Sequence, residues 1–251
     1  MPNIRFLYDN KILGTSVSVS GSGAASGLPA SNIQIPERSL VWRSLVTTGD
    51  QYVIVDLGSS LSITAVAVAN AVIHSGGSLR CDYGTNGTSW TTFGTFAALD
   101  PDSQAAVLFG SVTARYLRFY FVNTGAVSAY VELGYAFGGT YIEPTHNVRV
   151  PFDVPLGSRS AIALSPAGQR TVAVRPQFTT GRWSWDTLAD ADIAALQVMF
   201  RTCDLGTPFF QVLDTTRGWT TWLAHFAGSL AREFGLLDAQ YHPGFDWQEA
   251  L

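Results

Sequence analysis

Tyr52-Val-Ile-Val-Asp-Leu-Gly58 and its sequel Ile63-Thr-Ala-Val-Ala-Val-Ala69 decide how the first half of the chain is read. Both are apolar, β-branched runs of strand length, and both alternate. In the first, Val53 and Val55 face one way while Tyr52, Ile54 and Asp56 face the other. In the second, Ala65, Ala67 and Ala69 alternate with Val66 and Val68, so one face is small enough for another layer to approach closely. Gly58-Ser-Ser60 reads as a turn between two strands. The expectation is the centre of a β-sandwich, with the chain up to about residue 140 packed on it.

Further strands fall on either side. Ile4-Arg-Phe-Leu-Tyr8, Ser16-Val-Ser-Val-Ser20, Ser78-Leu-Arg-Cys-Asp-Tyr83, Ala105-Ala-Val-Leu-Phe109 and Ala114-Arg-Tyr-Leu-Arg-Phe-Tyr-Phe121 all have strand character, and Ala129-Tyr-Val-Glu-Leu-Gly134 closes the series. Residues 31–35, between Pro29 and Pro36, read as an irregular crossing, and Asn86-Gly87 as a tight turn. Trp42 reads as a core tryptophan rather than a sugar-stacking platform, with Arg43 paired to a carboxylate such as Asp56. Asp56 and Glu132 are expected to be structural, held by Arg43 or Arg118. His74, Tyr83 and Trp90 stand as candidate ligand-binding residues beside the loops 74–78 and 84–90. The competing reading buries Tyr83 and Trp90 and leaves His74 solvated.

The ordered set Trp42-Arg-Ser44, Tyr52 to Gly58, Ile63 to Val68, Ala114-Arg-Tyr-Leu-Arg-Phe119 and Val131-Glu-Leu-Gly134 resembles the discoidin, or galactose-binding-like, domain superfamily. The resemblance covers roughly residues 1–140 and implies an antiparallel jelly-roll sandwich with ligands such as sugars on loops at one end. Members of that superfamily often carry an Asp-Gly-Asn turn before the tryptophan, whose Asp holds a calcium ion. Here the segment is Ile35-Pro-Glu-Arg-Ser-Leu40, so no metal and no other cofactor is expected.

Phe137-Gly-Gly139 reads as a hinge into a second domain over residues 141–251. There Asn147-Val-Arg-Val-Pro-Phe-Asp-Val-Pro155 is extended, and Ser160-Ala-Ile-Ala-Leu164 with Arg170-Thr-Val-Ala-Val174 forms a hairpin. Residues 178–185 continue the sheet. Ile193, Leu196, Phe200 and Cys203 have helical spacing over about 190–203, with Asp190 or Thr187 as cap. Strands are expected over 206–214, 218–226 and 231–239, and Tyr241 to Glu249 reads as an aromatic, acidic tail.

This half resembles the β-barrel-plus-one-helix modules of tailed-bacteriophage tail tubes and distal tail proteins, through Trp183-Ser-Trp185, the helix, and Pro208-Phe-Phe-Gln-Val-Leu-Asp214. The fold class expected is therefore mainly β: a galactose-binding-like jelly roll followed by a β-barrel or sandwich assembly domain with one helix. The combination implies a structural virion protein of a phage tail tip or baseplate. It would form a ring of copies, often six, touching tail tube, tape measure and other tail-tip proteins, with the front domain reaching host-surface glycans. The alternative is a free carbohydrate-binding module.

Composition agrees with a non-enzymatic reading. The net charge is −4, and there is no Lys/Arg run to track a phosphate backbone, so no nucleic-acid partner is expected. No apolar run has membrane-spanning length, and Met1-Pro-Asn-Ile-Arg-Phe lacks a signal peptide's features, so the expectation is assembly in a host cytoplasm into a virion tail. Cys81 and Cys203 are expected as free thiols. No Ser/His/Asp, Cys/His or phosphate-loop pattern stands out, and Asp56, Glu132 and Glu143 are the acids a glycosidase reading would have to pair.

Overall fold

A computed structural model describes residues 3–14, 16–37, 39–97, 105–122, 130–158, 160–164, 166, 169–174, 177–215, 217, 220–234 and 241–250. The chain is mainly β, with a galactose-binding-like jelly-roll sandwich and a further sheet domain. Two compact units emerge, Met1–Pro144 with Phe209–Leu223, and Thr145–Pro208 with Ala224–Leu251.

The first unit is built on two long strands, Gln51–Ala69 and Ala105–Val122. They pair antiparallel from Gln51 opposite Phe121 to Ala69 opposite Ala105. The expected turn at Gly58-Ser-Ser60 is instead a bulge inside one continuous strand. Gly58 takes φ 77°, and the partner advances only from Tyr116 to Ala114 while this strand runs from Asp56 to Leu61. Likewise the runs expected separately at 105–109 and 114–121 are one strand. Ser18–Gly21 pairs with the first half of Gln51–Ala69, and Tyr135–Ile142 with its second half. Ser78–Gly84 and Thr91–Thr95 extend the sheet on one side, and Arg5–Asn10 on the other. Trp42–Arg43 and Glu132–Leu133 form a small separate ladder, and residues 30–34 are a 3₁₀ turn rather than an irregular loop.

Period-2 alternation explains the core. Val53, Val55, Leu79, Cys81, Leu117, Phe119 and Phe121 all point into one core with Trp42, which is fully buried, lies 5.8 Å from Phe121 and donates its indole N–H to Gly23 O at 3.1 Å. The alanine face of the second run is also covered. Ala67 lies opposite Phe137 and Ala65 opposite Gly139. Tyr135 stacks on Phe210 with ring centroids 6.0 Å apart, and Phe137 meets the same ring edge-on at 6.1 Å. Phe210 belongs to Phe209–Val212, which pairs with Arg5–Leu7. That strand lies in the first unit, whereas the sequence reading assigned it to the second. Aromatic rings fill the depth that an alanine face leaves open, and Phe210 supplies one of them.

Phe137-Gly-Gly139 is not a hinge. It is the buried middle of Tyr135–Ile142, paired on both sides. Its glycines allow close approach: a Cβ on Gly138 would run into Leu117, and one on Gly139 into the carbonyl of Asp9.

In the second unit, Gln177–Ser184 pairs with Leu156–Ser158 on one side and with Tyr241–Glu249 on the other. Ala224–Phe226 and Ala231–Phe234 then pair in succession along Tyr241–Glu249. The expected acidic tail is thus the central strand, with Phe245, Trp247 and Glu249 buried in alternation. Pro243-Gly244 within it disguises the pattern. The expected barrel is not closed by the pairs among the described residues. The core is aromatic. Trp183 stacks on Trp247 at 5.5 Å, Trp185 lies 6.1 Å from Phe245, and Phe226 meets Phe245 at 4.9 Å. The helix Asp190–Cys203 buries Ile193, Leu196, Met199 and Cys203. Neither expected cap is used: the N-cap is Ala189, and Asp192 instead accepts from the backbone N–H of Thr145 at 3.0 Å. Cys81 and Cys203 are buried free thiols, and burial pushes the Cys203 thiol up to about 12.

Gly139→Ala should lower the stability of the first unit by about 1–3 kcal/mol, because the obstructing atom is backbone and cannot rotate away. Urea denaturation of the variant against wild type measures it, and an unchanged midpoint would contradict the close-approach account.

Candidate functional site

The strand register determines which acid meets which arginine. Arg43 lies directly opposite Glu132, and its Nε and Nη2 reach Glu132 Oε1 at 2.6 and 2.5 Å. Asp82 lies opposite Arg118, whose Nη2 and Nε reach Asp82 Oδ2 at 2.7 and 3.1 Å, and Arg80 and Thr92 add contacts at 3.1 Å each. Asp56 is held by Arg115, with Nε and Nη2 at 2.8 and 2.9 Å. The expected pairing of Asp56 with Arg43 or Arg118 is therefore corrected: register commits those two arginines to Glu132 and Asp82, and Arg115, at the bulge, reaches Asp56. Glu143, the third acid of the glycosidase reading, is 2.9 Å from Arg5.

His74, Tyr83 and Trp90 are not brought together. His74 precedes Ser78–Gly84 and Tyr83 is its last residue but one, so most of a strand of 7 residues, roughly 17 Å, separates them. Tyr83 points to the core side, edge-on to Phe93 at 6.4 Å. Trp90 lies on the opposite face, its ring under the Arg118 guanidinium at 4.5 Å. Arg118 also lies over Tyr120 at 4.7 Å, as Arg80 does at 4.4 Å. This ladder of rings and guanidinium groups uses the ring faces internally.

A different arrangement forms where His74 is. The connections 44–50 and 70–77 and residues 130–131 meet at one end of the sandwich. Ser44, fully buried, donates its backbone N–H to Val131 O at 3.0 Å and accepts the Val131 N–H on its hydroxyl at 3.2 Å. Buried Gln51 donates to Thr48 O and Gly49 O at 3.2 and 3.3 Å and accepts from Ser22 at 2.8 Å. Val72 bridges Glu132, and His74 Nε2 donates to Tyr130 O. A neutral His74 then keeps its acceptor lone pair on Nδ1.

These pins present Leu45, Val46, Val72 and Tyr130 to solvent, Tyr130 at 45% exposure. Arg43 lies 5.9 Å from the Tyr130 ring. An exposed ring beside an Arg–Glu pair and a histidine offers a stacking face together with donors and acceptors for hydroxyl groups. Of the sequence candidates only His74 belongs to this set, with Arg43 and Glu132, which were read as structural. Sequence reasoning missed Tyr130. The available signal was an aromatic residue two positions before the two-residue strand Glu132–Leu133, on the loop side. Among the described residues no group of three or more His, Cys, Asp or Glu converges as metal ligands.

Comparison with known proteins places residues 15–133 in the F5/8 type C domain family. This part of the chain is an F5/8 type C, discoidin-like domain. No curated protein matches the chain. Among solved structures it is similar to CpGH89CBM32-6 produced by Clostridium perfringens, at 17% identity over 52% of this chain and 98% of that one, with a TM-score of 0.42. It is also similar to chitosan-binding module 1 of a Paenibacillus sp. IK-5 chitosanase/glucanase, at 22% identity over 51% and 98%, with a TM-score of 0.43. A Ruminococcus gnavus GH29 fucosidase matches at 13% identity and a TM-score of 0.46, and this chain covers 27% of it.

Arg115 holds the Asp56 carboxyl at about 2, below its usual 3.8, and Gly58 N–H adds to the effect. A depressed carboxyl contributes stability that is complete above about 3.8 and lost as pH falls toward about 2. Asp56→Asn should flatten the acid limb of a melting-temperature profile between those values; an unchanged limb would refute the role assigned to the pair.

Proposed function

We propose that the first unit is a non-catalytic carbohydrate-binding module whose ligand sits on Tyr130, Arg43, Glu132 and His74. The observation that carries this reading is the solvent-facing Tyr130 ring, held beside the Arg43–Glu132 pair at the loop end of a discoidin-like sandwich. The ring stacks on the apolar face of a sugar, and the guanidinium and carboxylate order its hydroxyl groups. Buried Ser44 and Gln51 fix the loops beforehand, which reduces the ordering cost of binding. Asp56, Glu132 and Glu143 each have an arginine partner, which favours binding over acid–base chemistry at these carboxylates.

A second reading is a structural protein of a phage tail tip or baseplate, forming a ring with itself and contacting tail components, with the sandwich turned to host glycans. One observation favours it: the second unit exposes aliphatic side chains on a hairpin, as a surface that associates does.

A glycan array probed with the full chain tests the first reading. Selective sugar binding is expected, and Tyr130→Ala should weaken it by about tenfold or more without lowering the melting temperature. A wild-type chain silent on a broad array, or a Tyr130→Ala variant that binds equally well, overturns it.

A further inference from the structure

The geometry points to a binding site for an amine-bearing sugar in the second unit, in the cleft between the strand Gln177–Ser184 and the segment 149–155. This site lies outside both readings above and rests on neither.

The cleft follows from the backbone. Two bonds tie the segment to the strand, Arg149 N–H to Ser184 O at 2.7 Å and Thr180 N–H to Pro155 O at 3.1 Å. Between these anchors the strand advances four residues and the segment six, so the segment bows away. The ladder with Leu156–Ser158 stops at Thr179. Alternation turns the backbone N–H and C=O of Arg182 the same way as those of Thr180 and Ser184, away from Tyr241–Glu249 and into the gap. The result is a cleft of about 510 Å³, with Asp153 and Pro155 on its wall and Thr180, Arg182, Ser184 and Asp246 on its floor.

The charges in it are unspent. Register puts Arg182 directly opposite Asp246, yet Nη1 and Oδ1 are 3.7 Å apart and both side chains are more than half exposed. That is an ion pair without a hydrogen bond. Asp153 is exposed and has no hydrogen-bond or ion-pair partner among the described residues. Two carboxylates thus face one guanidinium, leaving a surplus of one negative charge.

That set selects the ligand. An anion meets the surplus charge and is repelled. A primary ammonium brings one positive charge and three donors, with no acceptor. Asp153 takes that charge, and Asp246 and the Arg182 carbonyl are further acceptors in the cleft. A bare alkylammonium would leave the Arg182 guanidinium and the Thr180 and Ser184 hydroxyls with nothing to bind, whereas the hydroxyl groups of a sugar ring use all three. The nearest rings, Phe152 and Trp247, pack on Trp183 at 5.2 and 5.5 Å, so they form no aromatic cage for a quaternary ammonium. An open cleft holding one surplus charge binds weakly, with a dissociation constant on the order of millimolar.

Titration of the ¹⁵N-labelled full chain with glucosamine, followed amide by amide, tests this. Saturable shifts are expected at Gly181, Arg182 and Ser184. Asp153→Asn should weaken them by about fivefold or more, and Asp153→Glu should bind within about threefold of wild type. Dichroism should show both variants folded, since Asp153 is exposed. N-acetylglucosamine, the same ring without the charge, should bind no better than Asp153→Asn binds glucosamine. Equal binding of the two sugars, or no loss in Asp153→Asn, overturns the inference. Equal or tighter binding of Nα-acetyl-lysine amide makes the cleft a lysine site and overturns the sugar assignment. Shifts confined to the amides around Tyr130 overturn this site and leave the loop-end site standing; shifts in the cleft with a silent glycan array do the reverse.

Discussion

Antiparallel pairing of Gln51–Ala69 with Ala105–Val122 along nearly their whole length sets what every other part of the first unit can do. Once Gln51 lies opposite Phe121, alternation sends Val53, Val55, Leu117 and Phe119 to the core, with Tyr116, Arg118 and Tyr120 on the opposite face. A slip of one residue would exchange the two sets. The bulge at Gly58 preserves this register while bending the strand, and Asp56 secures it by accepting the Gly58 N–H at 2.8 Å and binding Arg115. The Arg115–Asp56 pair is half open to solvent, so its contribution to stability is modest and its geometric role the larger one.

The same register accounts for the charges. Asp82, 1% exposed, would be costly alone, and Arg118 opposite it, Arg80 and Thr92 make it tolerable. The arginines in turn lie on Trp90 and Tyr120, so the outer face of the sheet is bound up in its own ladder. Tyr130, at the loop end, has Arg43 over its ring at a longer 5.9 Å and remains 45% exposed.

Elements set by local periodicity were legible in the sequence. The 3.6-residue spacing of Ile193, Leu196 and Cys203 gives the helix with its observed bounds, and β-branched alternation gives the two halves of each long strand but not their continuity. What depends on tertiary neighbours was not legible. Gly138 and Gly139 look the same in a hinge as in a crowded strand, and only the proximity of Leu117 and the Asp9 carbonyl distinguishes the two. Pro243-Gly244 interrupts a pattern that pairing on both flanks restores. Asp56 and Arg115 are far apart in sequence and meet only because the bulge beside Gly58 brings Arg115 next to Asp56. Tyr130 is exposed because Ser44 and Val72 hold its neighbours, which no local pattern records.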